Sequence, residues 1–242
     1  SGMTTRNAIY SALLAKENFT SVKDPLLGER GFHEGFAHNP NPKLIIEKLG
    51  ENFKIDTASL KKWSVGSPIQ SMMDAIEYLL KNNTFDHKDI SELIVDIPSD
   101  RYHIVNNRKI LSISAQHLIA VYLIKKKMGY VEAHDEKLFN DPEVLSLRKK
   151  IKAVSSDELA IARPERQSKI RIKFSNNKEL FYHAKSVRGT PDNPMDEKDI
   201  VAKSKRLLEV FKTSQTDELI DLILHKNFTI DELVKICDLN LN

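Results

Sequence analysis

One cysteine, Cys237, is all that 242 residues contain. An intrachain disulfide and a cysteine metal cluster are excluded, and a reducing, cytoplasmic location is expected. No apolar run approaches the ~20 residues that span a bilayer, and no signal peptide is visible, so no membrane partner is expected. Charge of one sign is scarce as well. The 37 Lys and Arg against 34 Asp and Glu leave a net charge of +3, and the lysines are spread along the chain. Aromatic residues form no stacking platform, so no nucleic-acid partner is expected. A glycine-rich phosphate loop, a Ser-His-Asp signature, HExxH and an EF-hand loop are all missing. Eight histidines are present, but none pairs with another ligand at metal-binding spacing, and no metal is expected.

What is there centres on residues 60–80, LKKWSVGSPIQSMMDAIEYLL. Ser67 has the form of an N-cap, and Pro68 suits the first helical position, where a missing N–H costs nothing. Ile69, Met72, Met73, Ile76, Leu79 and Leu80 recur at helical spacing, which predicts one buried face. Asp74 lies close to that stripe. Lys61 and Lys62 stand at the mouth of the helix N-terminus, a place that favours anions. The plainer alternative, that both lysines are solvated and the turn is only a cap, is the commoner case for lysine.

Around this helix the pattern alternates between helical and extended segments. Residues 5–15 read as a helix with a buried-looking face that needs partners to cover it. Residues 43–49 read as a second helix ending near Gly50. Residues 90–97 alternate as a strand closed by Pro98. Asn106, Asn107 and Arg108 fall in a loop, where Arg108 can bind a carboxylate bidentately or simply be solvated. Ser112 or Ser114 caps a helix with Leu118, Val121, Tyr122 and Ile124 inward. Its last turn carries Lys125, Lys126 and Lys127, with Gly129 just beyond, as helix ends do. His117 in this helix reads as a capped, half-buried structural residue. Asp141-Pro142 opens a short helix to about Lys150. Residues 170–174 and 180–187 form the clearest hairpin, turned at Ser175–Lys178. Thr229 and Glu232 spell a capping box for the last helix. The order predicts an α+β fold: a small α+β domain, helices on a mainly antiparallel sheet, at residues 59–195. The N- and C-terminal helices, residues 3–58 and 196–242, are expected to form a partial all-helical domain.

Three stretches carry a resemblance. The first is SALLAKENFTSVKDPLLGERGFHEGF, residues 11–36. The second runs from Lys61-Lys62-Trp63 to Asp74-Ala75. The third is IRIKFSNNKELFYHAKSVRGTPDNPM, residues 170–195, followed by a helix with Lys203. In order and spacing they resemble the MmgE/PrpD family, which includes 2-methylcitrate dehydratase, cis-aconitate decarboxylase and iminodisuccinate epimerase. The resemblance covers the chain from about Ala8 to Val210. It implies an active site between a large helical domain and a smaller α+β domain. It implies acid/base chemistry on a small di- or tricarboxylate partner, without metal or organic cofactor. Such chemistry needs cations for the carboxylates and a base of matched pKa. Lys61 falls on the family's active-site lysine and is the expected catalytic residue. Arg108, His103, Gln70 and Lys62 are the expected substrate-binding residues. Two departures stand out: Ser64 replaces a proline, and Gln70 replaces a histidine of the turn. Family chains are also about twice as long, so the N-terminal half, with the N-terminal part of the helical domain, is expected to be missing. A hydro-lyase is the leading expectation, with isomerase or decarboxylase chemistry as variants. A non-catalytic shortened relative that binds a carboxylate or a protein is the alternative. A homodimer, or association with a chain that supplies the missing helices, is expected.

Overall fold

A computed structural model describes residues 2–211 and 215–237. The chain divides into two units, Ser1–Asp56 and Thr57–Asn242. The first holds helix α1 (Gly2–Lys16) and the short helices α2 (Phe32–Phe36) and α3 (Lys43–Ile46). The side chain of Asp24 accepts from the backbone N–H groups of Leu26 and Leu27 and shapes the turn between α1 and α2. The buried face expected of α1 is not found: Ile9 is 57% and Leu13 51% exposed. The reason lies within the unit, where α2 and α3 have five and four residues and bury nothing themselves.

The second unit is built on helix α4 (Gln70–Asn82), with Met72, Met73, Ile76 and Leu79 buried as the periodicity predicts. Its entry differs in detail. Ser67–Ile69 form a 3₁₀ turn with Pro68 inside it, and no side chain caps that turn. The position before it is fixed from outside instead, because Gly66 N–H donates to Ser112 O at 2.7 Å. A Cβ on Gly66 would come within 2.6 Å of the Ile113 side chain.

Strand β1 (Ile90–Pro98) is central in a four-stranded sheet of order β2-β1-β3-β4. Helix α5 (Ser99–Val105) follows it directly, then α6 (Ala115–Lys125), α7 (Tyr130–His134), α8 (Glu136–Phe139) and α9 (Pro142–Lys149). Strand β2 (Ile151–Ser156) pairs parallel to β1, and α10 (Asp157–Ile161) follows. The hairpin of β3 (Ser168–Phe174) and β4 (Glu179–Ala184) completes the sheet, with β3 antiparallel to β1. Two antiparallel pairings and one parallel pairing make the mainly antiparallel sheet of an α+β fold. Leu93, Val95, Ile97, Ile170 and Ile172 are fully buried, and α4 packs on β3 and β4 while α6 packs on α4 and β2. Alternate apolar residues thus face one helical layer.

Helix α6 is more deeply placed than expected, with every residue from Ala115 to Leu123 buried. His117 is therefore fully rather than half buried, and neither ring nitrogen has a partner. The helix ends at Lys126, which takes the left-handed conformation at φ 54° and donates its N–H to Tyr122 O. Gly129 is not the terminator; it precedes α7, where Glu132 accepts its N–H. Helices α11 (Glu197–Leu208), α12 (Thr216–His225) and α13 (Ile230–Cys237) close the described chain. Before α13, the Glu232 carboxylate accepts from Thr229 N–H at 2.7 Å while Thr229 Oγ1 accepts from Glu232 N–H, the capping box as read. Among the described residues no helix is long and apolar enough to cross a membrane.

Candidate carboxylate-binding cleft

The segment from Leu60 to Gly66 is irregular, bending at residues 62–65 with no partner strand, so side chains and single backbone hydrogen bonds at its two ends set its shape. Trp63 does most of this. It is 2% exposed, its indole N–H donates to Asp74 Oδ1 at 2.8 Å, and its ring lies 5.3 Å from that of Tyr122. Gln70, the first residue of α4, closes on the same segment: its Oε1 accepts from Trp63 N–H at 3.0 Å. Its Nε2 donates to Trp63 O at 2.8 Å and to Val65 O at 3.1 Å. The second Asp74 oxygen accepts from Arg188 N–H at 2.8 Å. Burial pushes the Asp74 carboxyl above its ordinary range, against the pull of those hydrogen bonds and of Lys62. Upstream, Leu60 N–H donates to Gly189 O at 2.7 Å.

Pinned in this way, the segment sends its two lysines to two different clefts. Lys62 lines one of about 510 Å³ together with Asp74, Glu77, Lys81, Arg188 and Asp199. Several of its cations are answered by carboxylates. Lys62 Nζ lies 2.5 Å from Glu77 and above the Trp63 ring, and Lys81 meets the other Glu77 oxygen at 3.0 Å. Arg188 forks onto Asp199 through Nε and Nη2. Burial alone would raise the Asp199 carboxyl, but the Arg188 guanidinium outweighs it and holds it below its usual range.

Lys61 lines the other cleft, about 410 Å³, with Ser64, Ser112, Tyr130, His134 and Lys203. Lys203, from α11, donates its ammonium to the Lys61 carbonyl. Burial pushes the Lys203 ammonium below its ordinary pKa, helped by the charges of Arg206 and Lys61. No Asp or Glu is among the described residues lining this cleft, and neither lysine forms an ion pair there. Two ammonium groups without a counter-ion among the described residues favour an anion from solution.

The remaining expected residues lie elsewhere. His103 is exposed on α5, and Arg108 is exposed in the loop that follows; neither lines these two clefts. That loop is held by Gln116, which accepts from Asn107 N–H and donates to Asn106 Oδ1. Gln70 is buried, with its amide spent on the Trp63 segment. Lys203 enters the sequence reading only through the third resembling stretch, with no role attached, and His134 carries no local signal; one comes from α11 and the other from α7. Only the tertiary packing brings them to Lys61. Among the described residues no group of three His, Cys, Asp or Glu side chains is placed to hold a metal ion.

Comparison with known proteins gives one family. The model of the MmgE/PrpD C-terminal domain matches residues 63–226, from the buried tryptophan to the start of the loop after α12. No curated protein matches the chain.

Proposed function

The chain belongs to the MmgE/PrpD family, and from that premise we propose that the Lys61 cleft binds a carboxylate of a small di- or tricarboxylate. On this reading the chain is a hydro-lyase of the 2-methylcitrate dehydratase type, working by acid/base chemistry. The observation that carries it is the pairing of Lys61 with Lys203 in a cleft whose described lining has no acidic residue. A carboxylate held by two ammonium groups makes the proton on the neighbouring carbon easier to remove, because the charge that develops on the carboxylate oxygens is already offset. Lys61, the more exposed of the two, is placed to meet the anion, and Lys203 is tied to its carbonyl.

The test is turnover of citrate and 2-methylcitrate, followed by the ultraviolet absorbance of the unsaturated acid that dehydration forms. The expected result is product formation that Lys61→Ala lowers at least 100-fold. Arg108→Ala and His103→Ala in the same assay decide whether those exposed groups take part in substrate binding. A second reading, a carboxylate-binding subunit without turnover, is favoured by Gln70. It stands where the family resemblance places a histidine, and its amide is fully occupied by Trp63 and Val65. Binding of the acids without any product supports that second reading. Association with a second copy is expected from the exposed Ile9, Tyr10, Leu13 and Leu14 of α1. Elution as a strict monomer at high concentration contradicts it.

A further inference from the structure

The Lys61 cleft has a neighbour. A second cleft, about 430 Å³, is lined by Lys109, Leu111, Ser112, His134, Glu136 and Asn140. Ser112 and His134 belong to both, so the His134 imidazole stands at their junction.

Two contacts orient the ring. His134 Nδ1 lies 2.8 Å from the carbonyl oxygen of Tyr130, and the ring stacks on that of Tyr130 at 4.4 Å. A carbonyl oxygen only accepts, so in the neutral ring Nδ1 carries the proton. Nε2 then keeps its lone pair, and no contact of the described residues occupies it. The same arrangement, a backbone carbonyl fixing the tautomer, is how imidazoles are made ready as bases. The other candidates for that role near Lys61 are spoken for. Glu132 is turned to Gly129 N–H and toward Lys127, and Glu136 lines only the neighbouring cleft. Lys61 and Lys203 are cations whose use is to offset charge.

We propose that His134 is the proton acceptor of the Lys61 cleft, an inference that rests on reading that cleft as a carboxylate site. The Nε2 lone pair forms a bond to a proton on the carbon next to the bound carboxylate. The C–H bond breaks, and its electron pair moves through that carbon onto the carboxylate as an enediolate, opposite the two ammonium groups. His134 becomes an imidazolium. In an acid with a hydroxyl on the next carbon, the electron pair returns to form the double bond. The hydroxyl leaves with the imidazolium proton as water, and the neutral ring is restored. Without such a hydroxyl the proton goes back to carbon, and the net result is exchange with solvent.

Exchange is therefore the readout. The full chain is incubated in D₂O with propane-1,2,3-tricarboxylate and succinate, acids of the same class that lack the hydroxyl, and loss of the C–H signals next to the carboxylates is followed by proton NMR. Binding is measured in parallel by thermal shift. The expected result is exchange by the wild type. His134→Gln and His134→Ala are expected to keep the thermal shift and to slow exchange at least 100-fold, the usual size of a general-base contribution. Added imidazole is expected to restore exchange to His134→Ala but not to His134→Gln, where no space is vacated. A merely structural role would show no such rescue. Exchange by His134→Gln at the wild-type rate overturns this inference and leaves the carboxylate site standing. Binding without exchange by the wild type does the same. A wild type that binds none of the acids overturns the reading of the cleft, and this inference with it.

Discussion

Trp63 shows how one side chain can hold a site whose own chemistry lies next door. It has no titratable group, yet its indole N–H, its backbone and its ring fix the chain on either side of it. Trp63→Ala is expected to cost about 3–5 kcal/mol in urea unfolding, the range for a fully buried large aromatic. Gln70→Ala leaves two buried carbonyls and an N–H without partners, and about 2 kcal/mol is expected from the least well solvated of them. His117 gives the pH-dependent counterpart. Burial first, then the charge of Arg148, pushes its pKa from the ordinary 6.5 down to about 4. A depressed folded pKa means that the unfolded chain binds the proton more tightly. The stability is fully present above pH 6.5 and is lost as pH falls toward about 4. The loss is about 3 kcal/mol. His117→Leu is expected to shrink the difference in unfolding free energy between pH 7 and pH 4 by that amount, read by urea titration at both pH values.

At the scale of elements, what the sequence made legible was local. The Asp141-Pro142 entry of α9 is seen as read, with Asp141 accepting from the N–H groups of Glu143 and Val144. The β3–β4 turn and the Thr229–Glu232 cap follow the same rule, since every partner lies within a few residues. Helix α5, strand β2 and helix α10 were not legible. Strand β2, IKAVSS, has almost no alternation and exists because β1 offers it a parallel partner 58 residues away in sequence at Leu93 and Ile151. Helix α5 has seven residues and follows a strand-ending proline, too short for a period to show. The site divided in the same way. Lys61 and Lys62 were readable beside a helix entry, whereas Lys203 meets Lys61 across 142 residues of chain. The loop at Gly189 ties these elements together. Gly189 has φ +93°, and a Cβ there would come 1.8 Å from Leu60 O. Gly189→Ala must therefore push the Leu60 segment away, and both strain and a lost hydrogen bond follow. A drop of at least about 2 kcal/mol in unfolding free energy is expected, together with weaker carboxylate binding in a thermal-shift titration. Wild-type stability in that variant would contradict the role given to this contact.

At the scale of the molecule, the sheet and α4 form a scaffold that holds one segment, residues 60–66, between two clefts of opposite character. In one, lysine and arginine are matched by Glu77 and Asp199; in the other, Lys61 and Lys203 face no acidic residue among the described lining. That asymmetry is the central claim. It is tested most directly by titrating the full chain with citrate, 2-methylcitrate and cis-aconitate in a thermal-shift experiment, beside the double variant Lys61→Ala/Lys203→Ala and the single variant Lys62→Ala. A ligand at about 100 times its dissociation constant stabilises by about 2.7 kcal/mol, a shift that is easily resolved. The account predicts a shift for the wild type that the double variant abolishes and that weakens with added salt. Lys62→Ala, on the matched side, is expected to retain it. A wild type that none of the acids stabilises, or a shift that survives in the double variant, would contradict the account.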